Sequence, residues 1–310
     1  MQKPSRLAAI LQAVFVTFLW STSWVLIKID LRADLPPITF AGLRYGLATL
    51  CLAPFVFRKA AHREMLRSIP SRGWIQLTLL GIVLYTLTQG AQYVSLDYLP
   101  AVVVNLLLNL TPISVGVMAF FITREPPTKI QWLGIVLTAV GIGVYFLPFT
   151  FPPAAIFGLV VAIVGMLTNA ISSLQGRQAN RDMSLPPLVI TFISMGIGAV
   201  LMLVIGIGTQ GPGVVTWSDW GIIAWLAIVN TAFAFTLWNN TLRTLTAVES
   251  SILNSLMMPQ IAILALIFLG ETITVKDTVG LVLVFAGVIV VQLKRRTSGK
   301  IGQESCQTTS

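Results

Sequence analysis

The sequence predicts an all-α integral membrane fold: ten transmembrane helices arranged as two inverted five-helix repeats. Three observations lead there. The 310-residue chain is 55% hydrophobic and only 10% charged, with a mean hydropathy of +0.85. A soluble domain carries about 25% charged residues, so this chain lacks the side chains to cover itself in water, and lipid is the solvent that suits it. Its apolar residues also fall into ten stretches, each close to the ~20 residues that span hydrocarbon as a helix. Finally, the phrase Thr123–Val144 returns as Leu269–Val291 at a constant offset of 146 residues. Glu125 falls on Glu271, Thr128 on Thr274, Gly134 on Gly280, Leu137 on Leu283 and Gly141 on Gly287. Acids, glycines and apolar residues matching in one register mark an internal repeat.

The first span, 7–27, follows a basic head and lacks a small-residue cleavage site, so it reads as a retained helix and not a signal peptide. The second, 37–57, opens on Pro36-Pro37, where proline suits a first helical turn. A loop bearing Asp97 separates the third span, 73–94, from the fourth, 100–122. Pro126-Pro127 precede the fifth, 129–148, and Pro152-Pro153 the sixth, 154–174. Pro186-Pro187 begin the seventh, 186–206. The eighth and ninth span 219–241 and 247–269, and the short GETITVKD leads into the tenth, 276–293. The first repeat is thus 7–148, the second 154–293, and 294–310 form a basic and polar tail.

Lys and Arg set the orientation. With a cytoplasmic start, sixteen of the twenty fall in cytoplasmic segments, three (Lys28, Arg32, Lys276) in outer loops, and Arg44 alone within a span. Both termini are expected to be cytoplasmic and the chain multi-pass in the plasma (cell inner) membrane. The net charge of +9 is then a topology signal, with a minor attraction to anionic headgroups, and nucleic acid is not an expected partner. Five spans per half is an odd number, so the two copies point in opposite directions across the bilayer. "DLPPITF" (34–40) against "SLPPLVI" (184–190) is a second matching pair. An inverted repeat places a binding site between the halves, near the midplane, and offers two near-equivalent closures.

Several phrases resemble the EamA family of the drug/metabolite transporter superfamily. "FLWSTSWVLIKI", "PPITFAGLRYGLATL" and "WLGIVLTAVGIGVYF" are similar to its first repeat, and "LTAVESSILNSLMMPQIAILALIFLGETIT" and "GLVLVFAGVIVVQ" to its second. The resemblance covers roughly residues 10 to 293. It implies ten helices with cytoplasmic ends and solute transport, often export of amino acids or other metabolites. The chain departs from the family pattern at Ser194, which stands where the first half has Arg44, and at Arg124, Pro126 and Pro127.

Polar side chains within a span are costly unless they face protein, water or a ligand. Those sharing a helix face at i, i+4 spacing are the candidates for a substrate site. They are Tyr85, Gln89 and Tyr93 with Gln92 beside them, Asn105 and Asn109, and Asn169 and Ser173. To these are added Asn230 and Trp238, Asn254 beside Ser251 and Ser255, and Trp20 and Ser23 on the first span. Each of them could equally join helices to one another, at roughly 0.6 kcal/mol per hydrogen bond. As a set they suggest a polar and aromatic cavity to which five or six helices contribute. Trp20, Trp24 and Trp238 could instead sit in an interfacial belt, and Gly42 and Gly46 mark close helix packing.

Arg44 lies about 12 Å inside its helix at 1.5 Å per residue. It either orients a substrate carboxylate or forms a structural ion pair, for which Asp97 is a possible partner. Glu125 and Glu271 read as loop acids near Lys129 and Lys276. Glu249 sits in the first turn of the ninth span, where the macrodipole favours an acid.

A neutral lining of amides, hydroxyls and aromatic faces suits a small-molecule substrate, an amino acid or related metabolite. The expected function is therefore an alternating-access secondary transporter, an exporter or facilitator. A channel or an integral-membrane enzyme is the alternative. An enzyme would need an acid/base or metal constellation, and the chain has one histidine, His62, and two cysteines, Cys51 and Cys306. No metal, cofactor or phosphate-binding loop is implied.

Overall fold

The computed structural model describes residues 6–31, 35–111, 113, 114, 118, 128–147, 152–183, 185–241 and 253–293. Among them the regular structure is helical, with no strand. Helix α1 (Arg6–Leu31) is followed by α2 (Pro37–Phe57), the short α3 (Ala60–Arg67), α4 (Ser71–Tyr98) and α5 (Ala101–Leu108). After these come α6 (Lys129–Phe146), α7 (Pro153–Asp182) and α8 (Pro187–Thr209). Helix α9 starts as Trp217–Ala227 and continues through Ile228–Phe233 and Ala234–Thr241, and α10 (Leu253–Leu269) and α11 (Val275–Leu293) complete the set.

Helices α1, α2, α4, α8 and the Pro153–Gly176 part of α7 are long and apolar enough to cross a bilayer. Within α6, and along α10, run shorter apolar helices. Of the span expected at 100–122, only α5 and a few residues beyond it are described. Large apolar side chains such as Leu50, Val200 and Ile267 remain exposed on the outside, as a lipid-facing surface requires. Proline stands at the start of α2, α7 and α8, where the missing N–H costs nothing. A capping box between Thr216 and Asp219 starts α9. Helix α3, within a basic segment, is amphipathic and turns His62 inward.

The repeated acid-and-glycine phrase acquires its physical reason in the contact between α6 and α11. A Cβ on Gly287 would come within 2.7 Å of the Gly134 carbonyl oxygen, and one on Gly280 within 2.9 Å of the Gly141 oxygen. Gly134 matches Gly280 and Gly141 matches Gly287, so one contact maps onto the other when the repeats are exchanged. The pairing is antiparallel, which is what inversion of the two copies demands. Backbone touches backbone here, and only glycine permits it. Gly42 likewise faces α8, its Cβ position lying 2.9 Å from the Leu203 nitrogen.

Two ends of the bundle can be distinguished, a near end where α1 starts and a far end where α1 stops. At the far end, charged residues expected in loops are held by helix ends. Lys28 is not in a loop: it is buried on α1 and donates to the carbonyls of Leu96 and Leu99 at the end of α4. Those carbonyls are left free by the helix terminus, so they hold the ammonium and allow α1 to run past its charge. Asp97 belongs to the last turn of α4 and is not the partner of Arg44. Glu271 does not pair with Lys276. Its carboxylate accepts from the backbone N–H groups of Ala101 (2.7 Å) and Val102 (3.4 Å), capping α5 across the repeats. Lys276 pairs with Asp277 at 3.5 Å and donates to the Leu147 carbonyl. Trp24 is buried, so it is no belt residue. Arg124, Glu125, Glu249 and Ser251 lie outside the described residues.

Candidate functional site

Among the described residues two helices carry π-helical segments in mid-course, Gly81–Gln89 within α4 and Ile228–Phe233 within α9, and a third segment, Ala265–Leu269, ends α10. Adding the repeat offset of 146 to 81–89 gives 227–235, so the two irregularities occupy one register in the two halves. A π segment inserts a residue into the helical turn and re-aims the side chains around it, a feature frequent at functional sites. Tyr85 in the first segment and Thr231 in the second are matching positions, and both line one cavity.

That cavity has a volume of about 570 Å³. Tyr85, Met195 and Thr231 lie toward mid-bundle, and Phe55, Leu188 and Phe235 lead toward the near end. Cys51, Thr191 and Phe233 also face it. Its walls thus come from α2, α4, α8 and α9, two helices from each half. Phe55, Phe233 and Phe235 are exposed at its mouth. The lining is mainly apolar and aromatic, with hydroxyls and one thiol as its polar groups.

Beneath the cavity lies Arg44, only 6% exposed. Its Nη1 donates to the Tyr93 hydroxyl at 3.0 Å and its Nη2 to Thr231 Oγ1 at 3.3 Å. The guanidinium carbon stands 5.2 Å from the Tyr45 ring centroid, and the Tyr45 ring packs edge-on against Tyr85 at 5.4 Å. Its Nε is buried without an acceptor. No carboxylate among the described residues is recorded in contact with Arg44. Asp30, on α1, faces Asp219 on α9 and lies near Tyr93. The pair was not anticipated, because both residues fall at or beyond the expected span ends.

The departure at Ser194 becomes intelligible in the same geometry. Arg44 of α2 reaches Thr231 of α9, while Ser194 of α8, its counterpart, lies beside Tyr85 of α4 and donates to the Ile190 carbonyl of its own helix. One crossed pair carries a cation and its mirror image is neutral. Gly81 and Gly198 bring α4 and α8 close, since a Cβ on Gly198 would meet the Gly81 oxygen at 2.7 Å.

The remaining candidates are distributed differently from the single polar chamber expected. Of the whole set, Tyr85 alone lines the cavity. Tyr93 holds Arg44. Trp20 Nε1 donates to the Asn230 carbonyl at 3.1 Å and its ring packs on Trp238 at 5.2 Å. The fully buried Asn230 side chain donates back to Leu19 O and to Thr22 Oγ1. This cluster joins α1 to α9. Asn109 Nδ2 donates to Asn105 Oδ1 at 2.9 Å, and Asn169 to Thr111 at 3.2 Å. Ser23 is buried on α1 and Gln89 and Gln92 are half-buried on α4, while Ser173 and Asn254 are exposed. Thr231, Thr191 and Cys51 escaped notice because a lone hydroxyl or thiol in an apolar span carries no mark of its own.

A model described as the EamA-like transporter family matches residues 7–147 and again 156–293. The chain is 26% identical over 304 residues to the "Uncharacterized transporter YvbV" of Bacillus subtilis (strain 168), covering 95% of this chain and 94% of that one. To "Protein PecM" of Dickeya dadantii (strain 3937) it is 26% identical over 232 residues, 73% of this chain and 76% of the relative. A crystal structure at 18% identity superposes with a TM-score of 0.66, covering 94% of this chain and 100% of the other, a likeness of fold.

Proposed function

Because the chain belongs to the EamA-like transporter family, we propose that it is an alternating-access secondary carrier of small organic metabolites, with the α2/α4/α8/α9 cavity as its substrate site. It is a multi-pass membrane transporter. The finer reading rests on one observation: the cavity's central hydroxyls, Tyr85 and Thr231, are equivalent positions of two inverted repeats, each set on a π-helical segment. A site shared equally between inverted halves can be exposed to either side by exchanging their conformations. The distribution of Lys and Arg makes the near end cytoplasmic, so the carrier stands open to the cytoplasm here and is closed at the far end. Amino acids and similarly sized metabolites fit the volume, and export or facilitated exit is the direction in which such a carrier would work in a cell inner membrane.

Counterflow in proteoliposomes tests this reading. Vesicles preloaded with unlabelled metabolite should accumulate the labelled one transiently, and a maleimide on Cys51 in a Cys306→Ser background should block that accumulation. Passive equilibration without overshoot would reveal a pore. Unchanged overshoot after full modification of Cys51 would place the substrate elsewhere.

A further inference from the structure

The cavity ends on a cation, Arg44, for which no described residue supplies a carboxylate partner. Arg44 is 94% removed from solvent by its 6% exposure, yet its recorded partners are two hydroxyls and one aromatic face. Its Nε finds no acceptor among the described residues. A charge at this depth is tolerated when a partner or a water-filled path compensates it. Among the described acids, Asp30 faces Asp219 toward the far end and lies near Tyr93, whose hydroxyl accepts from Arg44.

Thr231 links the cation to the cavity. Its Oγ1 accepts from Arg44 Nη2 while the same hydroxyl donates to the Leu226 carbonyl, leaving it a weak and shared acceptor. A carboxylate entering beside Thr231 would offer the guanidinium a charge-assisted, two-oxygen partner instead. The wall above that point is Phe55, Phe233, Phe235, Leu188 and Met195, which suits an aromatic or aliphatic body. An ammonium group would find no carboxylate among the described lining residues, only hydroxyls and a thiol.

Building on the carrier reading, we infer that the preferred substrates are amphipathic monocarboxylates without an amino group, their carboxylate held by Arg44 at Thr231 and their apolar body packed among the phenylalanines. Zwitterionic amino acids of the same size bind more weakly, and the corresponding amines do not bind.

Thermal unfolding of the purified full-length chain with probes of one shape and three charges tests this, because a ligand of the folded form raises the melting temperature by mass action. Phenylacetate should raise it, phenylalanine should need at least tenfold higher concentration for the same rise, and phenethylamine should have no effect. Hexanoate and benzoate extend the carboxylate series. Arg44→Gln should abolish the phenylacetate response. Thr231→Val, which keeps the shape of the side chain and guards against a folding defect in the first variant, should change the concentration required by severalfold. Equal responses to the amine or zwitterion, no response to any of the three carboxylates, or a full response in folded Arg44→Gln would each overturn the inference. Counterflow separates it from the carrier reading. Overshoot of phenylalanine without phenylacetate binding would keep the carrier and remove the anion site. Arg44-dependent phenylacetate binding without overshoot of any solute would keep the anion site and remove the carrier.

Discussion

Several polar residues described within the spans join helices, and Asn230 shows how. It is fully buried, its amide holds α1 through Leu19 O and Thr22 Oγ1, and its backbone carbonyl accepts from Trp20. Interhelical side-chain bonds in bilayers average about 0.6 kcal/mol each. Asn230→Ala, which removes two of them and leaves the Trp20 bond, should cost about 1 kcal/mol, a fall of about 2–4 °C in melting temperature for a chain of this class. Counterflow should persist, because Asn230 does not line the cavity; its loss in a folded Asn230→Ala protein would return this residue to the substrate site. The sequence singled out Asn230 as a substrate-site candidate, and could not separate that role from a structural one, since an amide that binds a neighbouring helix and one that binds a solute have the same composition and spacing. Arg44 was legible for a different reason: a guanidinium within a span has few inexpensive places to be. Its partners were not legible, because two tyrosines and a threonine lie on three other helices.

At the scale of elements, the apolar lengths and proline positions read directly, whereas the π-helical segments did not. Tyr85, Gln89 and Tyr93 share a face only if α4 keeps 3.6 residues per turn. The π segment breaks that count, so Tyr85 opens on the cavity while Tyr93 turns to Arg44. Lys28 and Asp97 were read as loop residues because charge ended the apolar pattern, although the helices continue wherever a neighbouring terminus or the bundle surface satisfies that charge. The glycine pattern was legible as a repeat, and its contacts now give it a measurable value. Gly287→Ala would drive a methyl group into the Gly134 carbonyl and Thr138, and overpacking of this kind costs about 1–3 kcal/mol. Gly143→Ala, on the same helix as Gly134 but with nothing within 4 Å of the added carbon, should leave stability within about 1 kcal/mol, the span of the glycine–alanine difference in helix propensity. Equal melting temperatures for the two variants would show that α6 and α11 are not pressed together by their glycines.

For the whole molecule, the inversion of the halves was legible from one repeated phrase, but which end stands open was not, because both closures would draw on the same residues. What decides it physically is the balance of contacts between the halves at the two ends. The far end is held by Glu271 on the Ala101 and Val102 amides, by Gln210 on Ile38 N at 3.0 Å, and by Thr39 on the Gly211 carbonyl at 3.0 Å. Each joins the first repeat to the second, so on the proposed carrier reading each favours the state in which the cavity opens at the near end. Losing a helix cap of this kind costs about 0.5–2 kcal/mol, and 1.4 kcal/mol is a factor of ten in a conformational equilibrium. Cys51, on the cavity wall, reports the balance without any substrate being known. In a Cys306→Ser background, Glu271→Ala should slow maleimide labelling of Cys51 by about twofold to thirtyfold, while labelling of the denatured chain stays unchanged. The melting temperature should fall by only a few degrees, since the bundle loses one cap and none of its core. A labelling rate indifferent to Glu271→Ala would mean that the far-end contacts hold a static scaffold, and that opening at one end is not linked to closing at the other.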